Sequence, residues 1–341
     1  MSSFLIPSTN PGLSARVQDW LSSGTSLIRN RNNSKIIITS SILAVLSATV
    51  APAIYRDYRD FISLGPGGVP HNVIGWLGVS LVLCPLGREM FSTEVYDRNP
   101  DKRSFLSEAD VPRREGRRPV VGRHVVPQRQ MDQIPGAEIK EKLTAAFTSL
   151  YQQNQHLVKL STSLHESNTE ALFLADGVRG NEPVATDMLR EISHIHGTGD
   201  YSVHVTLPPQ DCKKVIQAGW AQRHAFSGNT IFKRLGVKRL RLPAEYVLIY
   251  APRNEEELKT VMKFVRASVA YLAGVAVEEV YFVDYKVYGE YGGLLSILYC
   301  IISYGQQNDE LLLLSFYLQQ TWFAEYANRY ATYLMDPFLI K

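Results

Sequence analysis

The sequence predicts an α+β protein, in which a small mixed sheet is covered by helices and is preceded by an N-terminal transmembrane helix. Two observations lead to this fold class. A charge-free apolar run of about nineteen residues lies near the start of the chain, close to the roughly 20 residues that span a bilayer. Beyond residue 135, apolar residues recur at helical and at alternating spacings, and these patterns lack the regular βαβ order of a parallel sheet.

Composition narrows the class of protein. With 341 residues, of which 45% are hydrophobic and 20% charged, the chain is a foldable globular protein. A net charge of +3 is too small to indicate nucleic-acid binding, so no nucleic-acid partner is expected. Cys84, Cys212 and Cys300 lie far apart without CxxC spacing, which argues against a zinc knuckle or a disulfide framework and favours free thiols.

The apolar run "IIITSSILAVLSATVAPAI", residues 36–54, follows a polar leader over residues 1–35 and is interpreted as a transmembrane anchor. A cleaved signal peptide is the alternative, but it needs a shorter apolar stretch nearer the start of the chain. The positive charges on the two sides of the run are nearly balanced, so they do not set the topology. We expect a single-pass protein of an internal membrane such as the endoplasmic reticulum, with the lipid bilayer as a partner.

Residues 55–134 are predicted to be a membrane-proximal linker. Within it, the apolar segment 73–87 is too short for a span, and it suits an interfacial or re-entrant segment as well as it suits a buried helix. The stretch 96–133 is rich in arginine and proline and is predicted to be extended and loop-rich. Its arginines either bind acidic lipid headgroups or fold back to pair with carboxylates.

The main domain is predicted over residues 135–274, and its first half begins with a helix after Pro135. "EALFLA" then indicates a short buried strand. A second helix is expected to start near Thr186, whose hydroxyl can cap it, to run through "DMLREISHIH" and to stop at Gly197.

The second half of the domain has clearer patterns. "YSVHVTL" alternates and predicts a half-buried strand, "PPQDCKKVIQAG" predicts a short helix, and "EYVLIYAP" predicts a strand closed by Pro252. The strongest signal is a long amphipathic helix that Asn254 caps, because three glutamates occupy its first turn and an apolar stripe follows.

Three of the eight histidines, His194, His196 and His204, lie within "EISHIHGTGDYSVHV". On a helix, His194 and His196 would point about 200° apart and could not bind one ion from the same face. Glu191 lies three residues before His194, where its carboxylate can orient that ring. Three interpretations stay open: a metal site, a pocket that uses imidazoles for proton transfer on an organic substrate, and packed structural residues. We favour the pocket and expect no metal.

The motif "GWAQRH" supports the pocket interpretation, because it combines a flat apolar platform, hydrogen-bond donors and a further base. These are Trp220, Gln222, Arg223 and His224. Two more residues at the end of the next predicted strand, Tyr250 and Arg253, either close such a pocket or cap the following helix.

Several ordered motifs carry a resemblance to a known family. "YRDYRDF", "VYDRNPDKRSFL", "REGRRP", "HVVPQRQ", "REISHIHGTGDYSVHVTL", "GWAQRH" and "YAPRNEEE" occur in the same order as in the luciferases of fungal bioluminescence and the wider luciferase-domain proteins of fungi. The resemblance covers roughly residues 36–273, so 135–274 is expected to be a luciferase-like domain.

The resemblance implies an oxygenase that needs no metal or flavin and uses O₂ as co-substrate. It implies that O₂ adds to the phenolic pyrone 3-hydroxyhispidin, and that the resulting peroxide loses CO₂ and leaves an excited caffeylpyruvate that emits green light. Such chemistry needs a base for an enolic proton and donors for the developing charge. The candidate bases are His194, His196, His204 and His224. The candidate substrate-binding residues are Glu191, Trp220, Gln222, Arg223, Tyr250 and Arg253.

The chain also departs from the family pattern. In the luminous enzymes a proline follows the histidine of the "GWxQRH" motif, whereas here the residue is Ala225. A basic insertion, "FKRLGVKRLRLP", precedes the next strand, and the tyrosine-rich extension over residues 275–341 has no counterpart. The alternatives to a luciferase are therefore a non-luminous relative that acts on another phenolic or polyketide molecule, and a tethered binding protein without turnover.

Overall fold

The computed structural model describes residues 15–23 and 31–282. Contacts divide the chain into two compact units, with the boundary in the sequence after Ser63. Beyond position 282, the predicted C-terminal extension lies outside the described residues, and this part of the chain includes Cys300. Cys84 and Cys212 are free thiols, as expected.

The first unit is helical wherever it is described, with α1 over residues 15–23 and α2 over Arg31–Ser63. Among the described residues, the Ser34–Ser63 part of α2 is the one helix that is long and apolar enough to cross a membrane. Its most apolar stretch is exposed. The prediction of an apolar N-terminal helix that could span a membrane is confirmed.

The second unit contains the sheet. Its helices are α3 (Val73–Gly78), α4 (Glu94–Asp97), α5 (Ala137–Gln153), α6 (Val184–Asp187), α7 (Pro209–Gln217), α8 (Thr230–Arg234) and α9 (Glu255–Ala273). Its strands are β1 (Val158–Thr162), β2 (Glu170–Leu174), β3 (Glu191–Ile195), β4 (Val203–Thr206), β5 (Ala221–Arg223) and β6 (Tyr246–Ile249).

The strands form one six-stranded sheet in the order β1-β2-β3-β4-β6-β5. Each of its pairings is antiparallel. The α+β fold class is confirmed, with one correction: the described sheet is antiparallel throughout, whereas a mixed sheet was expected. For the pairs β1–β2 and β3–β4, the short loops over residues 163–169 and 196–202 account for the antiparallel order, because parallel strands need a crossover connection of a dozen or more residues.

Most elements of the main domain lie where the sequence predicts them, including α5, α7, α9, β2, β4 and β6. For α9, the Asn254 side chain accepts a hydrogen bond from the Glu257 backbone N–H at the start of the helix. Gly274 ends the helix with a φ of 74°, which a glycine adopts without strain. Strand β4 was expected to be half buried, but all four of its residues are buried.

The helix predicted from Thr186 to Gly197 is wrong. Helix α6 ends at Asp187, and the next part of the segment is strand β3, paired with β2 on one side and β4 on the other. The break occurs because Leu189 and Arg190 adopt positive φ angles of 55° and 67°, which an α-helix cannot contain.

The two faces of the sheet are covered by different parts of the chain. Helix α9 packs across β3 and β4 on one face, and the apolar core lies there. Residues 64–134, expected as a linker, belong to the same unit as the sheet. Two of their arginines fold back into buried ion pairs, Arg114 with Glu257 and Arg129 with Glu166.

The apolar segment 73–87 has a buried side and an exposed side. It comprises α3, a π-helical turn over Val79–Leu83 and a short 3-10 turn. Val79 is buried, whereas Ile74 and Leu81 are 75% and 70% exposed. The segment is therefore amphipathic, as an interfacial segment would be.

Candidate active site

A cavity of about 240 Å³ lies at the sheet face opposite α9. The sheet contributes His194 from β3, His204 from β4 and Tyr246 from β6. The other walls come from loops and from the segment before residue 134, and they include His165, Glu166, His224, Leu83, Val126 and Gln128. The cavity thus joins segments that are far apart in the sequence.

A β-bulge in β3 sets which side chains reach this face. Leu172 of β2 pairs with Ser193, but the next residue, Phe173, pairs with Glu191, so Ile192 is an extra residue. The bulge brings Glu191 to the same face as His194, although the two are three positions apart. His194 in turn pairs directly with His204 across β3 and β4.

The three histidines of this face form a compact cluster. The ring centroids of His194 and His196 lie 5.3 Å apart, and each lies 5.2 Å or 4.8 Å from that of His204. His224 lies 5.7 Å from His204 on the other side. Segments that lie apart in the sequence therefore bring four imidazoles together.

Glu191 holds His194 in a fixed orientation. The Nδ1 atom of His194 lies 2.6 Å from Oε1 of Glu191. Oε1 also accepts a hydrogen bond from the Ser163 hydroxyl, and Oε2 accepts one from the Leu164 N–H. Burial alone would raise the pKa of the Glu191 carboxyl. The hydrogen bond and charge of His194, with help from Ser163, outweigh burial and lower that pKa to about 2. Glu191 is therefore an ionised acceptor that orients the ring.

His196 and His204 are anchored through the same ring atom. Nδ1 of His196 lies 2.9 Å from the Ser202 hydroxyl and 3.2 Å from the Asp200 carboxylate. Nδ1 of His204 lies 3.2 Å from the Val247 carbonyl oxygen. Because each Nδ1 faces an acceptor, each neutral ring carries its proton there and keeps a lone pair on Nε2.

Burial makes the rings neutral. It lowers the pKa of His196 and of His204 well below the ordinary histidine value, and neighbouring positive groups lower both further. Burial also lowers the pKa of His224 to about 3. At Nδ1, His224 accepts a hydrogen bond from the Phe226 N–H, so its neutral ring carries the proton on Nε2. His224 thus has the opposite tautomer to the other three.

An aromatic ring supports the cluster from the cavity side. Tyr246 stacks on His204 with a centroid distance of 4.5 Å and an angle of 13° between the planes. The Tyr246 ring also lies 5.8 Å from His165 and 5.9 Å from His224. Tyr246 therefore restricts the orientation of three histidines at once.

Trp220, Arg223 and Arg253 are not among the residues that line this cavity. Trp220 packs edge-on against Phe264 of α9 and donates through Nε1 to the Pro112 carbonyl. Arg223 pairs across the strands with the core residue Val247 and donates to the Ser227 carbonyl. Arg253 forms an ion pair with Glu257 at the start of α9. Direct contact between these three side chains and a cavity ligand is not expected.

Gln222 and Tyr250 lie on the histidine face but beyond the cavity wall. Gln222 pairs with Leu248, which also pairs with His204. The Tyr250 hydroxyl donates to Oε1 of Gln222 at 3.1 Å. The two residues form one side of the polar layer next to the cluster.

Sequence reasoning missed four residues of this site: Arg129, Glu166, His165 and Tyr246. Arg129 is 1% exposed, forms an ion pair with Glu166 and lies 3.7 Å from Asp200. Gly67 lies against this pair, and a Cβ atom there would sit 2.6 Å from Oε1 of Glu166. Arg129 belongs to the quoted motif "HVVPQRQ", which was the available signal.

A cavity flanked by anchored, neutral imidazoles on an antiparallel α+β sheet defines the class: an enzyme-type site for a small molecule. A family model described as a luciferase domain matches residues 189–268, which hold β3, β4, β5, β6 and most of α9. The histidine cluster lies inside this range.

Curated relatives extend the match. A luciferase of Armillaria mellea is 36% identical over 254 residues, which is 72% of this chain and 90% of the relative. A luciferase of Neonothopanus nambi is 34% identical over 266 residues, or 75% of this chain and 95% of the relative. No solved structure matches the chain. The protein belongs to the fungal luciferase family, and this membership indicates an enzyme.

Proposed function

We propose that the protein is a membrane-anchored, luciferase-like oxygenase that adds O₂ to a hydroxypyrone such as 3-hydroxyhispidin, with loss of CO₂ and emission of light. One observation carries the proposal. In a chain of the luciferase family, the buried imidazoles of His194 and His204, each fixed by a second residue, line a cavity of about 240 Å³. These imidazoles provide the polar groups that the reaction needs, to accept a proton or to bind developing charge, inside a buried site.

The proposed reaction balances without an external reductant. Two C–O bonds form between O₂ and the pyrone ring, the bonds that join the lactone carboxyl group to the ring break, and CO₂ leaves. The O–O bond breaks in the same sequence, so both oxygen atoms of O₂ stay in the organic product. The substrate is the electron donor, and it gives electrons to O₂ most readily as the enolate.

The histidine cluster favours the enolate. His196 and His204 keep their Nε2 lone pairs, and Nε2 of His194 and of His196 has no hydrogen-bond partner within the described residues. These atoms are suited to receive the enol hydroxyl group or its charge. Of the four candidate bases, His224 fits least, because its neutral ring carries the proton on Nε2 and its Nδ1 accepts from Phe226.

We propose that α2 anchors the enzyme in an internal membrane such as that of the endoplasmic reticulum. The helix has the length and hydropathy for a span. The exposed apolar residues of the segment 73–87 add lipid affinity, and Leu83 of the same segment lines the cavity. A phenolic substrate of low solubility would then be available at the membrane surface.

The second candidate is a dark relative that oxidises another phenolic or polyketide molecule. Ala225 favours it, because the luminous enzymes are expected to carry a proline directly after the histidine of this motif. Ala225 is 2% exposed and adjoins His224 and the backbone of Gly87, so the substitution lies beside the cavity.

The test uses the full-length chain in detergent or nanodiscs with 3-hydroxyhispidin in air-saturated buffer. We expect light and CO₂, and neither under nitrogen. His204→Ala should lower turnover at least about 100-fold, the lower range for loss of an acid–base group. His156→Ala is the matched control, since His156 is exposed.

The outcomes separate the candidates. Release of CO₂ without light identifies the dark oxygenase. If a folded wild-type protein neither consumes O₂ nor releases CO₂, the hydroxypyrone oxygenase is rejected. If His204→Ala keeps full turnover, the cluster is not the site of the reaction.

A further inference from the structure

The nitrogens of the histidine cluster are close enough to share one ion. One ring nitrogen from each of His194, His196 and His204 lies within 4.8 Å of the other two. Ligands at a bond length of about 2.1 Å in tetrahedral geometry lie about 3.4 Å apart. Rotations that move each nitrogen by less than about 1 Å close this gap.

Each ring is held in the way that metal-binding histidines are held. A ligating imidazole normally donates its other N–H to a carboxylate or carbonyl, which fixes the tautomer and raises the basicity of the free nitrogen. Here Nδ1 of His194 faces Glu191, Nδ1 of His196 faces Ser202 and Asp200, and Nδ1 of His204 faces the Val247 carbonyl.

The Nε2 atoms of His194 and His196 destabilise the folded chain unless a ligand binds them. The side chains of His194 and His196 are 1% and 0% exposed, and the Nε2 atom of each has no hydrogen-bond partner among the described residues. A buried polar atom without a partner has lost its hydrogen bonds to water and has gained nothing in return, so it destabilises the folded state. Two such atoms in one cluster therefore indicate a ligand.

The buried groups around the cluster are more acidic than basic. They are the carboxyl groups of Glu166, Glu191 and Asp200 and the guanidinium of Arg129, which forms an ion pair with Glu166 and lies 3.7 Å from Asp200. Buried charges need compensation from a partner of opposite sign. A divalent cation at the nitrogens would supply it.

We propose that His194, His196 and His204 bind one divalent first-row transition-metal ion through their Nε2 atoms. Neutral imidazole suits Zn²⁺, Fe²⁺, Ni²⁺ and Cu²⁺. Oε2 of Glu166 lies 3.9 Å from Nε2 of His196 and is the nearest candidate for a fourth ligand. This inference departs from the cofactor-free reaction that the family resemblance implies.

The sequence-level objection to a metal does not apply to the folded chain. It assumed that His194 and His196 lie on a helix, where a separation of two residues points them apart. At the end of β3 the same separation points both side chains to one face. In the reaction, the bound ion would hold the ionised hydroxyl group of the enol, which gives the cluster its preference for the enolate.

The test measures metal binding directly. The full-length chain, without a histidine tag, is treated with chelator, dialysed and titrated with Co²⁺. We expect one Co²⁺ per chain, with visible absorption bands of nitrogen-ligated Co²⁺. His196→Ala should weaken binding at least 100-fold. His224→Ala is the matched control, because His224 lines the same cavity but has the opposite tautomer, and it should keep one Co²⁺ per chain.

Circular dichroism of each variant shows whether it folds. If His196→Ala does not fold, His196→Gln, which keeps a buried polar side chain, replaces it. The inference is overturned if the folded wild-type chain binds no Co²⁺, or if the His196 and His224 variants lose it equally. Binding does not depend on the proposed oxygenase. If the chain emits light but binds no Co²⁺, this inference alone is rejected. If the chain binds Co²⁺ but does not convert the pyrone, the proposed function alone is rejected.

Discussion

The two faces of the sheet differ in almost every physical property, although the same strands build both. Towards α9, β4 presents Val203 and Val205, which belong to the apolar core. Between them, His204 points to the opposite face and joins the imidazole cluster. One step along a strand therefore separates the residues that stabilise the fold from those that carry the chemistry.

The comparison shows how a buried polar face can persist in a stable protein. On the α9 face, stability comes from apolar area that is removed from water. On the histidine face, burial is unfavourable for each imidazole, and the hydrogen bonds from Nδ1 of His194, His196 and His204 offset part of that cost. Substitutions on the two faces should therefore affect different measurements.

The largest effect on stability is expected at Phe264, in the middle of α9. Its ring is fully buried and packs edge-on against Trp220 at 5.8 Å. Phe264→Ala should lower the free energy of unfolding by about 3–5 kcal/mol, the usual cost of removing a buried aromatic ring. Denaturant unfolding followed by tryptophan fluorescence measures it. Turnover per folded molecule should stay near the wild-type value; a variant that is stable but inactive would break the distinction between the faces.

A smaller effect is expected at Glu191, which acts on His194 and not on a ligand. Glu191→Gln removes the charge that holds the ring, and substitutions of this kind typically cost 10- to 100-fold in activity or in metal affinity. The loss should appear in kcat with little change in KM, because Glu191 is not expected to contact the substrate.

Glu170→Gln is the matched control, since Glu170 lies on neighbouring β2 and is exposed. Its kinetics should be those of the wild type. If Glu191→Gln also behaves as wild type, the contact at 2.6 Å does not position the ring for the reaction.

Local patterns predicted those elements whose own residues decide their structure. Helix α9 follows from the Asn254 cap and an apolar stripe, and β4 follows from strict alternation. Strand β3 did not follow, because "EISHI" has no decisive period and Thr186 offered a helix cap upstream. What makes β3 a strand is pairing with β2 and β4, and such long-range contacts have no signal inside five residues.

The same limit applies to the site. His194, His196 and His204 were grouped as one candidate site because they lie within fifteen residues of sequence, although the paired strands that bring them together were not predicted. Arg129 lies in the motif "HVVPQRQ", but its ion pair with Glu166 could not be predicted, since loops bring both residues in and only the folded chain shows where those loops lie. Strand β5 has three residues, too few for the sequence to show that Trp220, directly before it, packs against α9.

The smallest effect is expected in the apolar segment 73–87, which covers part of the histidine face. A buried and an exposed side chain occur there within one turn. In the π-helical turn Val79–Leu83, Val79 is 1% exposed and Leu81 is 70% exposed. Leu81→Ala should change the free energy of unfolding by less than about 0.5 kcal/mol, as surface substitutions do. Val79→Ala should cost about 2 kcal/mol, because a buried valine contributes roughly that much.

Leu81→Ala should nevertheless weaken binding of the chain to lipid vesicles if this side faces a bilayer. An equal loss of stability in both variants would show that Leu81 is covered by protein and that the segment has no lipid-facing side.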